Sequence, residues 1–252
     1  MTQDGGQGGT PREGGRQPAL LLPAIVTALV GLMVAIHIAQ TFVLGEDARL
    51  QFTLWFGFLP YRLLEPDQIP GGLWPLLWTP VTHAFLHAGW EHLLFNMAWL
   101  AIFATPVARR YGPGDFLALF LICAAAGALA FLATTWGQLQ FLIGASGGVA
   151  GLTGAAVRFM FQPLIIGKDP VTGDRRVLGR RLASLRDLVT QPRPRNFILI
   201  WVVLNAAVPL LPLLGGEMVQ IAWQAHLGGF FAGLVLAGAL EARGKRRSAA
   251  RR

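Results

Sequence analysis

Six apolar runs of about 20 residues divide this 252-residue chain and restrict most narrowly what it can fold into. An α-helix of that length crosses roughly 30 Å of hydrocarbon. Apolar residues make up 54% of the chain and charged residues 13%, which also favours a bilayer as the solvent. We therefore predict an all-α bundle of six transmembrane helices over residues 19–43, 90–108, 116–136, 142–161, 197–214 and 218–240.

The positive charges are confined to alternate loops. Of the 21 Lys and Arg residues, 19 lie in the two tails, just after the second run, or between Arg158 at the end of the fourth run and Arg195, and only Arg49 and Arg62 lie elsewhere. The positive-inside rule then places both termini in the cytoplasm. The net charge of +8 is explained by this orientation, so we expect no nucleic-acid partner. Short loops and the lack of a cleavable signal peptide favour a multi-pass protein of the bacterial cytoplasmic membrane.

The remaining segments are tails and loops around a membrane domain at residues 19–241. Residues 1–18 are rich in glycine and predict a disordered cytoplasmic tail, and residues 242–252 form a basic cytoplasmic tail. The outward loop 44–79 is rich in aromatic residues and lies either sideways in the outer leaflet or as an ordinary folded extracellular loop. The basic cytoplasmic loop 162–196 is interpreted as orienting its neighbouring spans. Cys123 is the only cysteine, which excludes a disulfide framework and a cysteine-based metal site.

Polar residues inside apolar spans are costly, and each is therefore a candidate functional residue. They form three groups: His83, His87, His92 and Asn96 leading into the second run, Gly144 to Gly147 opening the fourth, and His226 in the sixth. His92, Ser146 and His226 each lie 16 or 17 residues before the cytoplasmic boundary of their span, or about 24 to 26 Å at 1.5 Å per residue. The three groups are therefore predicted to share one depth.

Residue type indicates the chemistry of that level. Ser146 is a candidate nucleophile and His226 its candidate base. His92, Asn96 and the backbone N–H of Ser146 are candidate donors to an oxyanion. Three small residues, Gly147, Gly229 and Gly233, predict a close approach of the fourth and sixth spans. No carboxylate occurs at this depth, which predicts a dyad rather than a triad.

Taken singly, Ser146 is typical of a packing residue and His226 of an interhelical hydrogen bond. The shared depth of the three groups favours catalysis. His37 has no matched partner and is interpreted as a packed histidine.

At this point the sequence resembles the rhomboid intramembrane serine proteases over all six spans. The family pattern His-x3-His-x4-His-x3-Asn appears as His83, His87, His92 and Asn96. The Gly-x-Ser-Gly motif begins at Gly144, and the Ala-His-x2-Gly-x3-Gly motif runs from Ala225 through Gly229 to Gly233. The resemblance implies that Ser146 attacks, that His226 is base and then acid, and that the loop 44–79 is embedded in the outer leaflet. It also implies single-span membrane proteins as substrates and no metal or other cofactor.

The chain departs from some members of that family at two positions. Thr79, after Trp78, stands where some relatives carry an arginine. Ala150 stands where an aromatic residue stacks on the catalytic histidine, so the orientation of His226 must come from other packing.

Two rival hypotheses belong to other classes. A non-catalytic rhomboid-like protein would bind membrane clients, but such proteins usually lack the dyad. A metal or proton transporter would use the histidines of the spans. The absence of an intramembrane carboxylate disfavours the transporter, and the absence of a His-Glu-x-x-His motif disfavours a zinc protease. The oligomeric state is left open.

Overall fold

The computed structural model describes residues 22–169, 172–207 and 221–250. The predicted disordered tail 1–18, the beginning of the first apolar run, the junction of the fifth and sixth runs at 208–220 and the last two residues lie outside these ranges.

Helices make up most of the described chain. The α-helices are α1 Ala24–Ile38, α2 Glu46–Phe56, α3 Thr79–Thr82, α4 Trp90–Thr134, α5 Ser146–Met160, α6 Leu185–Thr190, α7 Pro192–Ala206 and α8 Trp223–Ala249. A π-helical turn, Ala39–Val43, continues α1, and short 3₁₀ turns occupy Pro60–Leu63, Pro66–Gln68, Trp74–Leu77 and His83–Phe85. The all-α prediction is wrong in one detail, because strands β1 Leu164–Lys168 and β2 Arg175–Arg180 pair as an antiparallel hairpin inside the basic loop.

Helix α4 is two antiparallel limbs joined at Gly112. Gly112 has a φ of 79°, a left-handed conformation that favours glycine, and Pro113 follows it. The ring of Phe120 lies 6.4 Å from that of Phe85, just before the helix begins. A straight helix would separate Trp90 from Phe120 by roughly 45 Å, so the chain must fold back at Gly112. This break lies between the second and third predicted runs.

Three described helices are long and apolar enough to cross a membrane: Ala24–Val43, Trp90–Thr134 and Trp223–Arg246. The other two large helices, α5 and α7, have 15 residues each. Helix α5 begins at Ser146 and not at the predicted residue 142, because Leu142 forms a β-bridge with Phe58. Helix α7 begins five residues before the predicted fifth run, at Pro192, and α8 continues to Ala249, through most of the predicted basic tail.

The central core forms where α4, α5 and α8 pack against one another. Its buried side chains include Leu100 and Phe116 from the two limbs of α4 and Leu152 from α5. Helix α1 covers the first limb of α4 through Val26, Leu29 and Met33.

The segment 44–79 is folded around a buried arginine. Arg62 is fully buried, and its guanidinium donates hydrogen bonds to the carbonyl oxygens of Pro70 at 2.7 Å, Gly72 at 3.0 Å and Leu54. The Trp78 indole donates to the carbonyl of Trp55 at 2.8 Å. Arg62 thus anchors this loop through three backbone carbonyls.

Replacing Arg62 with alanine is expected to destabilise the loop by about 3 kcal/mol, because three backbone carbonyls lose a charged donor. The matched control is Arg49→Ala. Arg49 is exposed and donates to the carbonyls of Gln40 and Thr41, so its loss should cost less than about 1 kcal/mol. The loop's rate of limited proteolysis and the thermal unfolding temperature in detergent measure the effect. Equal effects of the two variants would contradict the assignment of Arg62 as the anchor.

The basic loop 162–196 is tied to the helical bundle by arginine side chains. Arg158, at the end of α5, donates to the carbonyl of Ala183 at 2.7 Å, and Arg110 donates to the carbonyl of Arg180 at 2.9 Å. Helix α6 begins with a capping box between Ser184 and Asp187. Within its described residues, the predicted loop therefore contains the β1–β2 hairpin and the short helix α6, and α7 begins near its end.

Candidate active site

Ser146 is the first residue of α5, at the end of an extended segment. Gly144 has a φ of 117°, which favours glycine, and the helix begins two residues later. The first N–H groups of a helix have no intrahelical acceptor, and the N–H of Ser146 is one of them. Both the hydroxyl and the backbone N–H of Ser146 therefore lie at the N-terminus of α5.

His83 and His87 hold the segment that leads into Ser146. His83 is fully buried, with its ring Nδ1 3.0 Å from the carbonyl of Thr79, while its own carbonyl accepts the N–H of Gly144 at 2.9 Å. The N–H of Ala145 points at His87 Nε2 at 3.5 Å. Both histidines therefore contact the backbone that precedes Ser146, at Gly144 and Ala145, and not the Ser146 hydroxyl.

His92 and Asn96 lie in the first turns of α4, which begins after Gly89 as the sequence indicated. The His92 ring lies against Gly144, where a β-carbon would be 2.6 Å from His92 Cε1 and 2.7 Å from Nε2. Asn96 is buried and donates through Nδ2 to the carbonyl of His92 at 2.8 Å. The absence of a side chain at Gly144 is thus what lets His92 approach the segment before Ser146.

Glycines bring α5 and α8 into backbone contact. A β-carbon on Gly229 would overlap the carbonyl of Gly147, and one on Gly233 would overlap the carbonyl of Gly151. This is the close approach that the glycine spacing predicted. It places Ser146, at the start of α5, beside the first turn of α8, which carries His226.

His226 is held by a residue that the sequence-based prediction missed. Its Nδ1 is 2.8 Å from Oδ1 of Asn205 on α7, and Asn205 Nδ2 donates to the carbonyl of Trp201 at 2.8 Å. Asn205 is an amide inside the fifth apolar run. The cost of polar groups in a span would have identified it as a candidate.

One cavity of about 330 Å³ brings the polar groups together. Ser146, His226, Asn96 and Asn205 line it, and its remaining walls are mostly apolar: Trp99, Phe103, Val149, Ala150, Thr153, Phe197, Ile200, Trp201 and Leu204. Among the described hydrogen bonds, none joins the Ser146 hydroxyl to His226, and such catalytic bonds often shorten only when substrate is bound. The cavity therefore combines a hydroxyl, an imidazole and amide donors within apolar walls.

The structure thus separates the predicted site residues into two sets. Ser146, His226 and Asn96 line the cavity, whereas His92, His83 and His87 support the backbone before Ser146. Within the described ranges, no group of three or more His, Cys, Asp or Glu side chains is arranged to hold a metal ion.

Comparison with known proteins gives one family. The family model of the Rhomboid domain matches residues 75–243. The chain is similar to a "Rhomboid protease GlpG" of Yersinia enterocolitica, with 29% identity over 215 residues, which is 85% of this chain and 62% of that protein. Proteins of the same description from Yersinia pestis and Yersinia pseudotuberculosis are 26% identical with the same coverage. The chain spans about 62% of the length of these curated relatives.

Proposed function

Because the chain belongs to the rhomboid family, we propose that it is an intramembrane serine endopeptidase that cleaves transmembrane segments of membrane proteins. The observation that carries the proposal is that Ser146, His226 and Asn96 line the same cavity. The family match covers all three of these residues.

The reaction begins with attack of the Ser146 hydroxyl on the substrate's peptide carbonyl. His226 accepts the hydroxyl proton and then donates it to the leaving amine, which breaks the C–N bond and leaves an acyl group on the serine. Water then attacks this ester, again with His226 as the base. The N–H of Ser146 and the Asn96 amide donate to the oxyanion of both tetrahedral intermediates. His92 is the third proposed donor; its ring packs against Gly144 and is not among the residues that line the cavity, so it would have to turn toward the oxyanion. Gly144, Gly147, Gly229 and Gly233 support this geometry by letting the backbones approach.

Six spans fit the helix lengths, and the distribution of positive charge supports the proposal that both termini lie in the cytoplasm. The two limbs of α4 have about 22 residues each, or roughly 33 Å, enough for one span apiece. Helix α5 is shorter, but the extended segment before it is paired with Phe58 and His83, and such backbone is tolerated at membrane depth when protein covers it. The proposed location is the cytoplasmic membrane of a bacterium.

Single-span proteins are the proposed substrates. A helical peptide bond is shielded by its own turns, so a substrate must unwind locally to present a carbonyl to Ser146. Small or helix-breaking residues near the cleaved bond lower the cost of unwinding. No cofactor and no nucleic acid take part in the proposed reaction.

A fluorophosphonate probe tests the proposal, because it reacts covalently with activated serines far faster than with unactivated ones. Purified wild-type protein is expected to be labelled, with the adduct mapped by mass spectrometry to Ser146. Ser146→Ala and His226→Ala should lose the label. Ser184→Ala removes a helix-capping serine outside the cavity and should keep it. Cleavage of a single-span protein in liposomes should follow the same pattern.

Equal labelling of all four proteins, or of none, would contradict the serine mechanism. A folded, unlabelled wild type that still retains a single-span client would indicate the non-catalytic rival instead.

A further inference from the structure

Asn205 joins two helices at the reacting imidazole. It lies on α7, while His226 lies on α8, and a 2.8 Å hydrogen bond links the two side chains. We infer that Asn205 is the positioning residue of His226, so that the site works as a Ser146–His226–Asn205 relay. This inference rests on the proposed function.

The second hydrogen bond of Asn205 determines which of its atoms faces the histidine. The carbonyl of Trp201 is only an acceptor, so the amide atom 2.8 Å from it must be the donor Nδ2. The other amide atom, Oδ1, is then directed at His226 Nδ1. The hydrogen bond to the Trp201 carbonyl therefore determines which way the Asn205 amide is turned, and the alternative orientation with Oδ1 and Nδ2 exchanged is excluded.

An oxygen acceptor at Nδ1 selects one tautomer of the neutral imidazole. Oδ1 accepts only from an N–H, so the ring proton is on Nδ1 and the lone pair is on Nε2. Nε2 is the atom that must take the Ser146 proton in the proposed reaction. Asn205 thus holds the imidazole in the form that acts as a base, without touching substrate.

The packing around Asn205 explains why this contact is needed and how it is kept rigid. Ala150 offers no ring to stack on His226 across the cavity. On the other side, Trp201 stacks on Phe230 of α8, with ring centroids 4.1 Å apart and planes at 14°. The stack fixes α7 against α8 one turn away from Asn205, so the amide serves in place of the missing aromatic neighbour.

Three variants test the inference. Asn205→Leu keeps the volume and removes the acceptor, whereas Asn205→Asp keeps an acceptor at the same place. Asn196→Leu is the matched control, since Asn196 lies on the same helix in an exposed position outside the cavity. Asn205→Leu is expected to lower kcat by about 100-fold with KM changed by less than about threefold, while Asn205→Asp stays within about tenfold of wild type.

The histidine tautomer gives a readout that does not depend on activity. In ¹⁵N-histidine spectra, His226 of the wild type should carry its proton on Nδ1, and Asn205→Leu should shift it toward a mixture with the Nε2 form. If Asn205→Leu loses the Nδ1 form but fluorophosphonate labels neither the wild type nor any variant, the proposed function is overturned. The positioning role of Asn205 toward His226 then still stands. An unchanged tautomer in Asn205→Leu, or an Asn205→Asp variant as slow as Asn205→Leu, would overturn the role of Asn205.

Discussion

Replacing His226 with alanine is expected to lower the rate of transmembrane-segment cleavage by about 10⁴-fold or more while the protein stays folded. The Ser146 hydroxyl is a weak nucleophile without a base, and the described cavity contains no second imidazole or carboxylate to replace His226. Single-turnover cleavage in liposomes measures the loss. Thermal unfolding in detergent shows whether the fold survives.

His37→Ala is the matched histidine control. His37 is also buried, but it lies on α1, where its ring packs edge-on against Trp90 at 4.7 Å and lies outside the cavity. Its replacement is expected to change the cleavage rate by less than about tenfold. A folded His226→Ala variant that cleaves within tenfold of wild type would exclude His226 as the base.

A single methyl group at Gly233 is expected to destabilise the protein by about 3 kcal/mol or more. The β-carbon of Gly233→Ala would overlap the carbonyl of Gly151, a backbone group that cannot move without shifting all of α5. Separating α5 from α8 also separates Ser146 from His226, and a displacement of about 1 Å in such a site can cost roughly 100-fold in rate. Thermal unfolding and cleavage should therefore both fall.

Gly31→Ala adds the same methyl group where it meets nothing. Gly31 lies on α1, and apart from the neighbouring backbone of that helix no described atom lies within 4 Å of its β-carbon position. Alanine also favours a helix over glycine by up to about 1 kcal/mol, so this variant should be neutral or slightly more stable. Gly233→Ala as stable as Gly31→Ala would show that the two helices are less tightly packed than described.

The candidate site residues and one helix contact could be predicted from the sequence because the chain is adapted to a bilayer. An apolar solvent penalises every exposed polar group, so the few polar residues inside apolar runs already mark the candidate site. Ser146, His226 and Asn96 were found in this way, and the structure places all three on one cavity. The contact of α5 with α8 was likewise predicted, because only glycine spacing permits backbones to touch.

The roles of Asn205 and Arg62 could be identified only from the tertiary structure. Each is a lone polar residue with no partner at a regular spacing, and each acquires its role from groups that are remote in sequence or in an irregular loop. The start of α5 at Ser146 has the same origin, since Leu142 is drawn into a bridge with Phe58, 84 positions earlier. Sequence alone determined which residues the membrane environment makes costly and which helices can approach closely, because both follow from composition and local spacing. The tertiary structure decided which hydrogen-bond partner orients the imidazole and which arginine anchors the loop, because hydrogen bonds depend on distances that no local pattern encodes.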